Sequence, residues 1–149
     1  MRTRGDIFFH PKFEFENGDT SKKLFVLLNT PGKNEHYLFA KTTSQQKDKP
    51  LNPGCIKKQS LYFISAGKTW FSVNTWVQLS HIYEMSQDDI NKEENARFTD
   101  GSLNYKTVDK IIDCLFTIQD EDIPPIQRKL LRPPLKESIL KLKEKFNSK

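Results

Sequence analysis

The sequence predicts an α+β domain that is mainly β, and three observations carry that reading. Short aromatic and β-branched runs succeed one another over the first 83 residues, separated by Gly, Pro and Asn, with no helical period among them. Residues 103–118 then carry apolar positions at helical spacing. Finally, 36% hydrophobic and 29% charged residues suit a folded domain rather than a disordered chain. A length of 149 residues is most simply one domain with a tail. Folding at this size buries roughly two-thirds of the unfolded surface, so a core can form without disulfides or metal.

The first element is GDIFFHPKFEF, aromatic and partly alternating, where Pro11 predicts a bulge or an edge. Asn17-Gly18 marks a hairpin or loop. LFVLLN is apolar enough to be buried on both faces, and HYLFAKT comes after it through a turn at Pro31-Gly32. QQKDKPLNPG reads as a polar loop; CIKKQSLYFIS, KTWFSVN and TWVQLSHIYEM supply three further strands, with turns near Gly67 and Asn74. Five or six short strands in about 80 residues argue for a small closed barrel or a strongly bent sheet.

The character changes at Ser86, which precedes Asp89 by three residues and predicts a short helix start. A better helix covers NYKTVDKIIDCLFTI, where Leu103, Val108, Ile111, Ile112, Leu115 and Phe116 form one stripe that would cover an open face of the barrel. Pro124-Pro125 and Pro133-Pro134 punctuate the C-terminal segment. PLKESILKLKEKFNSK places Leu135, Ile139, Leu142 and Phe146 on one helical face with lysines opposite. The expected organisation is a barrel domain with helices over 1–122 and a basic amphipathic helical tail over 123–149. That tail packs either on its own domain or on a partner.

Charge is unevenly placed. Residues 1–83 carry twelve Lys/Arg against six Asp/Glu, residues 84–127 four against eleven, and residues 128–149 eight against two. A basic N-terminal part attracts phosphates in a salt-sensitive, sequence-independent way, although solvated lysines account for it equally. Cys55 and Cys114 form no C-x-x-C, and the expectation is two free, buried thiols. His10, His36 and His81 have no ligand spacing with each other or the cysteines, so no metal and no cofactor is expected. No run approaches the ~20 apolar residues of a membrane span, and MRTRGDIFF lacks the apolar stretch of a signal peptide, so a cytoplasmic chain is expected.

The stretch that invites chemistry runs from Ser21 to Gln45. Its first strand is entered through Lys22 and Lys23; its second leaves into Lys41, Thr42, Thr43, Ser44 and Gln45. Cations at one end and hydroxyls at the other are either soluble strand ends or a grip on a phosphate. No G-x-S-x-G, P-loop, H-E-x-x-H or dinucleotide fingerprint is present.

RGDI at 4–7, an aromatic strand, the NGDTS loop, and then KKLFVLLN, YLFAKTTSQ and SVNTWVQLSHI resemble the MazF/PemK toxin family. The helical order fits too, with NYKTVDKIIDCLF as the longer C-terminal helix, and the resemblance covers roughly residues 4–118. It implies a compact SH3-like barrel of five to seven short strands with a C-terminal helix packed on it. It also implies a homodimer that cleaves single-stranded RNA without metal and is held inactive by an antitoxin protein. In that family an arginine and a threonine or serine handle the scissile phosphate. Here Lys23 falls at the arginine position, with Leu24 replacing the proline after it, and Thr43 falls at the threonine position beside Ser44. A lysine is a point charge where arginine is a planar fork, which sets activity apart from fold.

Cleaving RNA through its own 2′-OH needs a base, an acid for the leaving 5′-oxygen, and positive charge near the phosphorane. Lys23 and Lys22 can supply charge, and Lys23 can be a base if its pKa is pulled down. Thr43 and Ser44 can donate hydrogen bonds; His10 and His81 are weaker candidates for acid–base work. Lys22, Lys41, Gln45, Gln46, Lys47, Lys49 and Trp76 are the expected RNA contacts, with core burial the competing reading for tryptophan. Gly5 and Asp6 more simply set a backbone turn. The competing function is a non-catalytic barrel that binds nucleic acid or a protein, its activity lost with the arginine.

Overall fold

A computed structural model describes residues 2–14, 17–92, 96–133 and Lys143. Strand β1 (Asp6–Glu14) runs antiparallel to β2 (Thr20–Leu27), which turns back into β3 (Tyr37–Thr43). Strands β4 (Gly54–Ile56) and β5 (Leu61–Ile64) form a hairpin, and β6 (Thr75–Met85) is the longest strand. Helix α1 (Gln87–Lys92), strand β7 (Arg97–Ser102), helix α2 (Tyr105–Gln119) and helix α3 (Pro125–Leu131) complete the order. The seven strands make one antiparallel sheet of order β4-β5-β6-β3-β2-β1-β7. The fold is thus α+β and mainly β, but the sheet is open: β4 and β7 are its edges, with no pairing between them that would close a barrel.

Both faces of the central strands are buried, because their apolar residues run without interruption. On one face Ile7, Val26, Leu38, Ala40 and Val77 meet Val108, Ile111, Ile112 and Leu115 of α2. On the other, Phe8, Phe25 and Phe39 form an aromatic cluster with Phe98, Phe13 and Tyr83, at ring separations of 5.0–6.1 Å. Alternation along each strand sorts residues between these faces. Pro11 lies in the register shift between His10 and Phe13, the bulge its missing N–H requires.

Turns and caps agree with the sequence signals. Asn29, 1% exposed, accepts the Leu38 N–H and donates to the His36 carbonyl, closing the β2–β3 turn from inside. Ser86 and Asp89 exchange side-chain to backbone bonds at the start of α1. Asn104 caps α2 by accepting the Thr107 N–H at 2.8 Å. Gly5, at φ +98°, lies so close to the Leu103 carbonyl that a Cβ would collide with it, which is why RGDI needs glycine. Asp6 accepts the Thr3 N–H and pairs with Arg2, the turn role expected of it.

Several expectations are corrected. CIKKQSLYFIS is not one strand: a 3₁₀ turn at Lys57–Gln59 splits it into β4 and β5. KTWFSVN is a loop tied by Gly67 N–H to the Phe71 carbonyl and Ala66 N–H to Asn74. RFTDGS, which carries a single large apolar residue, is strand β7, held by Phe98 against Phe8. The cysteines are not free. Cys55 on exposed β4 and buried Cys114 on α2 form a disulfide, because the fold brings their Cα atoms to 5.5 Å. Ile123 and Leu131 join the main core, so the segment after residue 122 begins packed on the domain, with Arg128 bonded to Asp120. The amphipathic stretch from Pro134 onward, Lys143 apart, lies outside the described residues.

Candidate phosphate-binding site

Register brings the two ends of the β2–β3 pair together. Phe25 faces Lys41, Val26 faces Ala40 and Leu27 faces Phe39; continuing that register sets Lys23 opposite Thr43. The Thr42 hydroxyl donating to the Leu24 carbonyl at 2.8 Å carries the strands together that far. On the other side of β2, Lys23 pairs with His10, and beyond β3, Thr43 pairs with Trp76. His10, Lys23 and Thr43 therefore stand side by side on one face of the sheet.

An open cleft of about 330 Å³ lies at these strand ends. Its lining mixes Lys22, Lys23, Ser21, Ser44, Gln45 and three threonines, at 42, 43 and 75, with apolar Phe9, Leu24, Phe71 and Val73. The Thr43 hydroxyl accepts the Gln45 N–H at 3.2 Å, which leaves its proton to donate.

Charge concentrates at Lys23. Burial first, and then the ammonium groups of Lys41 and Lys49, hold its pKa below the ordinary 10.5. Lys49 Nζ in turn donates to the Gln45 carbonyl at 3.0 Å. Lys41 Nζ sits 5.7 Å and 5.9 Å from the ring centres of Phe13 and Tyr83, a cation–π placement that fixes it on the same face as Lys23.

The histidines separate. His10 is 7% exposed, accepts the Lys12 N–H on Nδ1 at 3.2 Å, and meets Phe13 edge-on. His81 is exposed on β6 and packs edge-on to Tyr83 at 4.4 Å. Neither lines the cleft. His36 instead pairs with Glu84, near the opposite end of β3.

Of the expected RNA contacts, Lys22 and Gln45 line the cleft; Gln46, Lys47 and Lys49 belong to the loop beside it. Trp76 is a correction: it is 1% exposed, its indole N–H bonds the Pro50 carbonyl, and it packs on Phe63, so it offers no surface for stacking. Phe9 and Val73 were not expected at the site. Phe71 and Val73 come from the segment read as a strand, and a loop reading of KTWFSVN would have freed them to overhang the cleft.

Among the described residues no cluster of three or more His, Cys, Asp or Glu could hold a metal ion. Nor is any helix among them long and apolar enough to cross a membrane. No protein-family model and no curated protein matches the chain.

Proposed function

We propose that this protein is an endoribonuclease that cuts single-stranded RNA without metal, through the 2′-OH. The observation that carries the reading is the alignment of His10, Lys23 and Thr43 on one face of the sheet, with Lys22, Lys23 and Thr43 also lining a cleft at the strand ends. Lys23, its pKa lowered, takes the proton from the 2′-OH; the 2′-oxygen attacks phosphorus and forms a 2′,3′-cyclic phosphate. The Thr43 and Ser44 hydroxyls donate to the phosphate oxygens, and the Lys22 and Lys41 ammonium groups offset the charge gathering there. The bond to the 5′-oxygen breaks, and that oxygen leaves with a proton from water. His10, whose Nδ1 accepts the Lys12 N–H, holds its ring proton on Nε2 as a hydrogen-bond donor.

The same reading calls for an antitoxin protein and a second copy of the chain as partners, and takes the open sheet as a variant of the SH3-like barrel. Burial of β1, β2 and β3 on both faces supports that last point. The cytoplasm is the compartment that goes with an mRNA target. The Cys55–Cys114 disulfide weighs against it, since such bonds are rare in reducing compartments.

The test is cleavage of a labelled single-stranded RNA in the presence of EDTA. Wild type is expected to leave 2′,3′-cyclic phosphate ends. Lys23→Arg, which cannot serve as a base, is expected to bind RNA and lose cutting by ~100-fold or more. RNA left uncut by wild type, with and without divalent metal, defeats the enzyme reading. Retained RNA binding in that experiment would favour the second reading, a non-catalytic nucleic-acid module, which the lysine in place of arginine already favours.

A further inference from the structure

A second cleft, of about 310 Å³, opens on the far side of the loop that comes after Thr43. It shares a wall with the first: Lys49 lines the second, Gln45 lines the first, and a hydrogen bond joins them. The second cleft opens on the sheet face that carries His10, Lys23 and Thr43, whereas Leu24 and Phe71 of the first belong to the opposite face, under α2. Gln78 pairs with Lys41 on β3 and with Leu61 on β5, so Lys41, Gln78 and Leu61 make the row next to the row of His10, Lys23 and Thr43. Of the two lysines whose charge acts on Lys23, Lys49 lines this cleft and Lys41 pairs with Gln78.

The chemistry of the second cleft differs from the first. Gln59, Gln78, Ser60 and Ser80 supply amides and hydroxyls, Leu61 an apolar floor, and Lys47 and Lys49 the cations. Gln59 is committed through its Nε2 to the Asp48 carbonyl at 3.2 Å. Gln78 is not satisfied in this way: its Oε1 is buried without a hydrogen-bond partner among the described residues. A buried amide oxygen left unmatched is a cost that a ligand offering a donor would relieve. A flat ring with a donor and an acceptor side by side suits an amide above an apolar floor, which is how single-stranded bases are read. A phosphate suits it less well, because Asp48 also lines the cleft.

We propose that the second cleft is a base-reading subsite. It takes the nucleobase of the nucleotide next to the phosphate held at Lys23 and Thr43, and the Gln78 amide selects that base. This rests on the RNA reading above and adds the source of sequence preference.

The experiment measures binding, so it does not depend on cleavage. Labelled 2′-O-methyl oligouridines, each carrying one A, C or G at one position, are titrated by fluorescence anisotropy against wild type, Gln78→Leu, Gln59→Ala and Lys23→Ala. Wild type is expected to prefer one base at one position by roughly tenfold or more. Gln78→Leu should collapse that preference to below about threefold while plain oligouridine still binds. Lys23→Ala should weaken all probes alike. Gln59 is exposed, so Gln59→Ala keeps the fold and should reduce the preference in part. Wild type that binds every probe equally, or a preference that survives both glutamine changes, overturns the subsite and leaves the phosphate site standing. Wild type that binds no probe removes both.

Discussion

At the scale of single residues, Lys23 and Gly5 carry opposite kinds of constraint. The Lys23 ammonium is disfavoured by burial and by two neighbouring cations. Between its lowered pKa and 10.5 the unfolded chain therefore binds more protons than the folded one, and stability rises with pH across that window. Denaturant midpoints measured stepwise up to pH 10.5 should rise in wild type. In Lys23→Met that part of the rise should be missing; an unchanged slope would remove the electrostatic account. Gly5 is constrained by space and by φ together. Gly5→Ala should cost roughly 2–4 kcal/mol in denaturant melts, since its methyl would press on the Leu103 carbonyl at a strained φ. Both residues were legible in the sequence, Gly5 as a turn former and Lys23 as the cation entering a strand. That Trp76 is buried was not, because TWFSVNTWV alternates without saying which phase faces the core.

Elements were legible where their own period or caps specify them. The α2 stripe reappears as buried Val108, Ile111, Ile112 and Leu115, and Ser86 with Asp89 does open α1. Asn104→Ala removes the acceptor for the Thr107 N–H and should lower stability by about 1 kcal/mol, with Asn104→Asp close to wild type. Thermal melts of the two variants decide it; equal losses would mean the cap contributes little. Strand β7 was missed for a physical reason. RFTDGS has little intrinsic apolar drive and becomes a strand because β1 presents an unpaired edge and Phe8 a partner for Phe98. The split of CIKKQSLYFIS depends on Ser60 at φ +56°, a left-handed residue that composition does not announce.

For the whole molecule, the Cys55–Cys114 bond was out of reach of sequence reasoning because 59 residues separate its ends. Their approach is a product of α2 lying across the sheet. Closing a loop of that length should stabilise by about 4 kcal/mol on the chain-entropy account. Cys55→Ser with Cys114→Ser, or reductant added to wild type, should lower the melting temperature together. A wild type insensitive to reductant, with thiols that alkylate in the native state, would show that the bond does not form in solution. The open sheet was out of reach for a related reason: local signals specify short strands, and closure is decided by edges that no local signal describes.

That bridge also changes what a cut in the chain means. Lys68 lies exposed in the loop between β5 and β6, inside the span the cysteines enclose. A protease that nicks after it makes two polypeptides, yet one strand of the sheet and the long helix still hold them as a single covalent body. On a denaturing gel the nicked protein should run as one species without reductant and as two with it. Clipped material would therefore pass for intact protein until the sample is reduced.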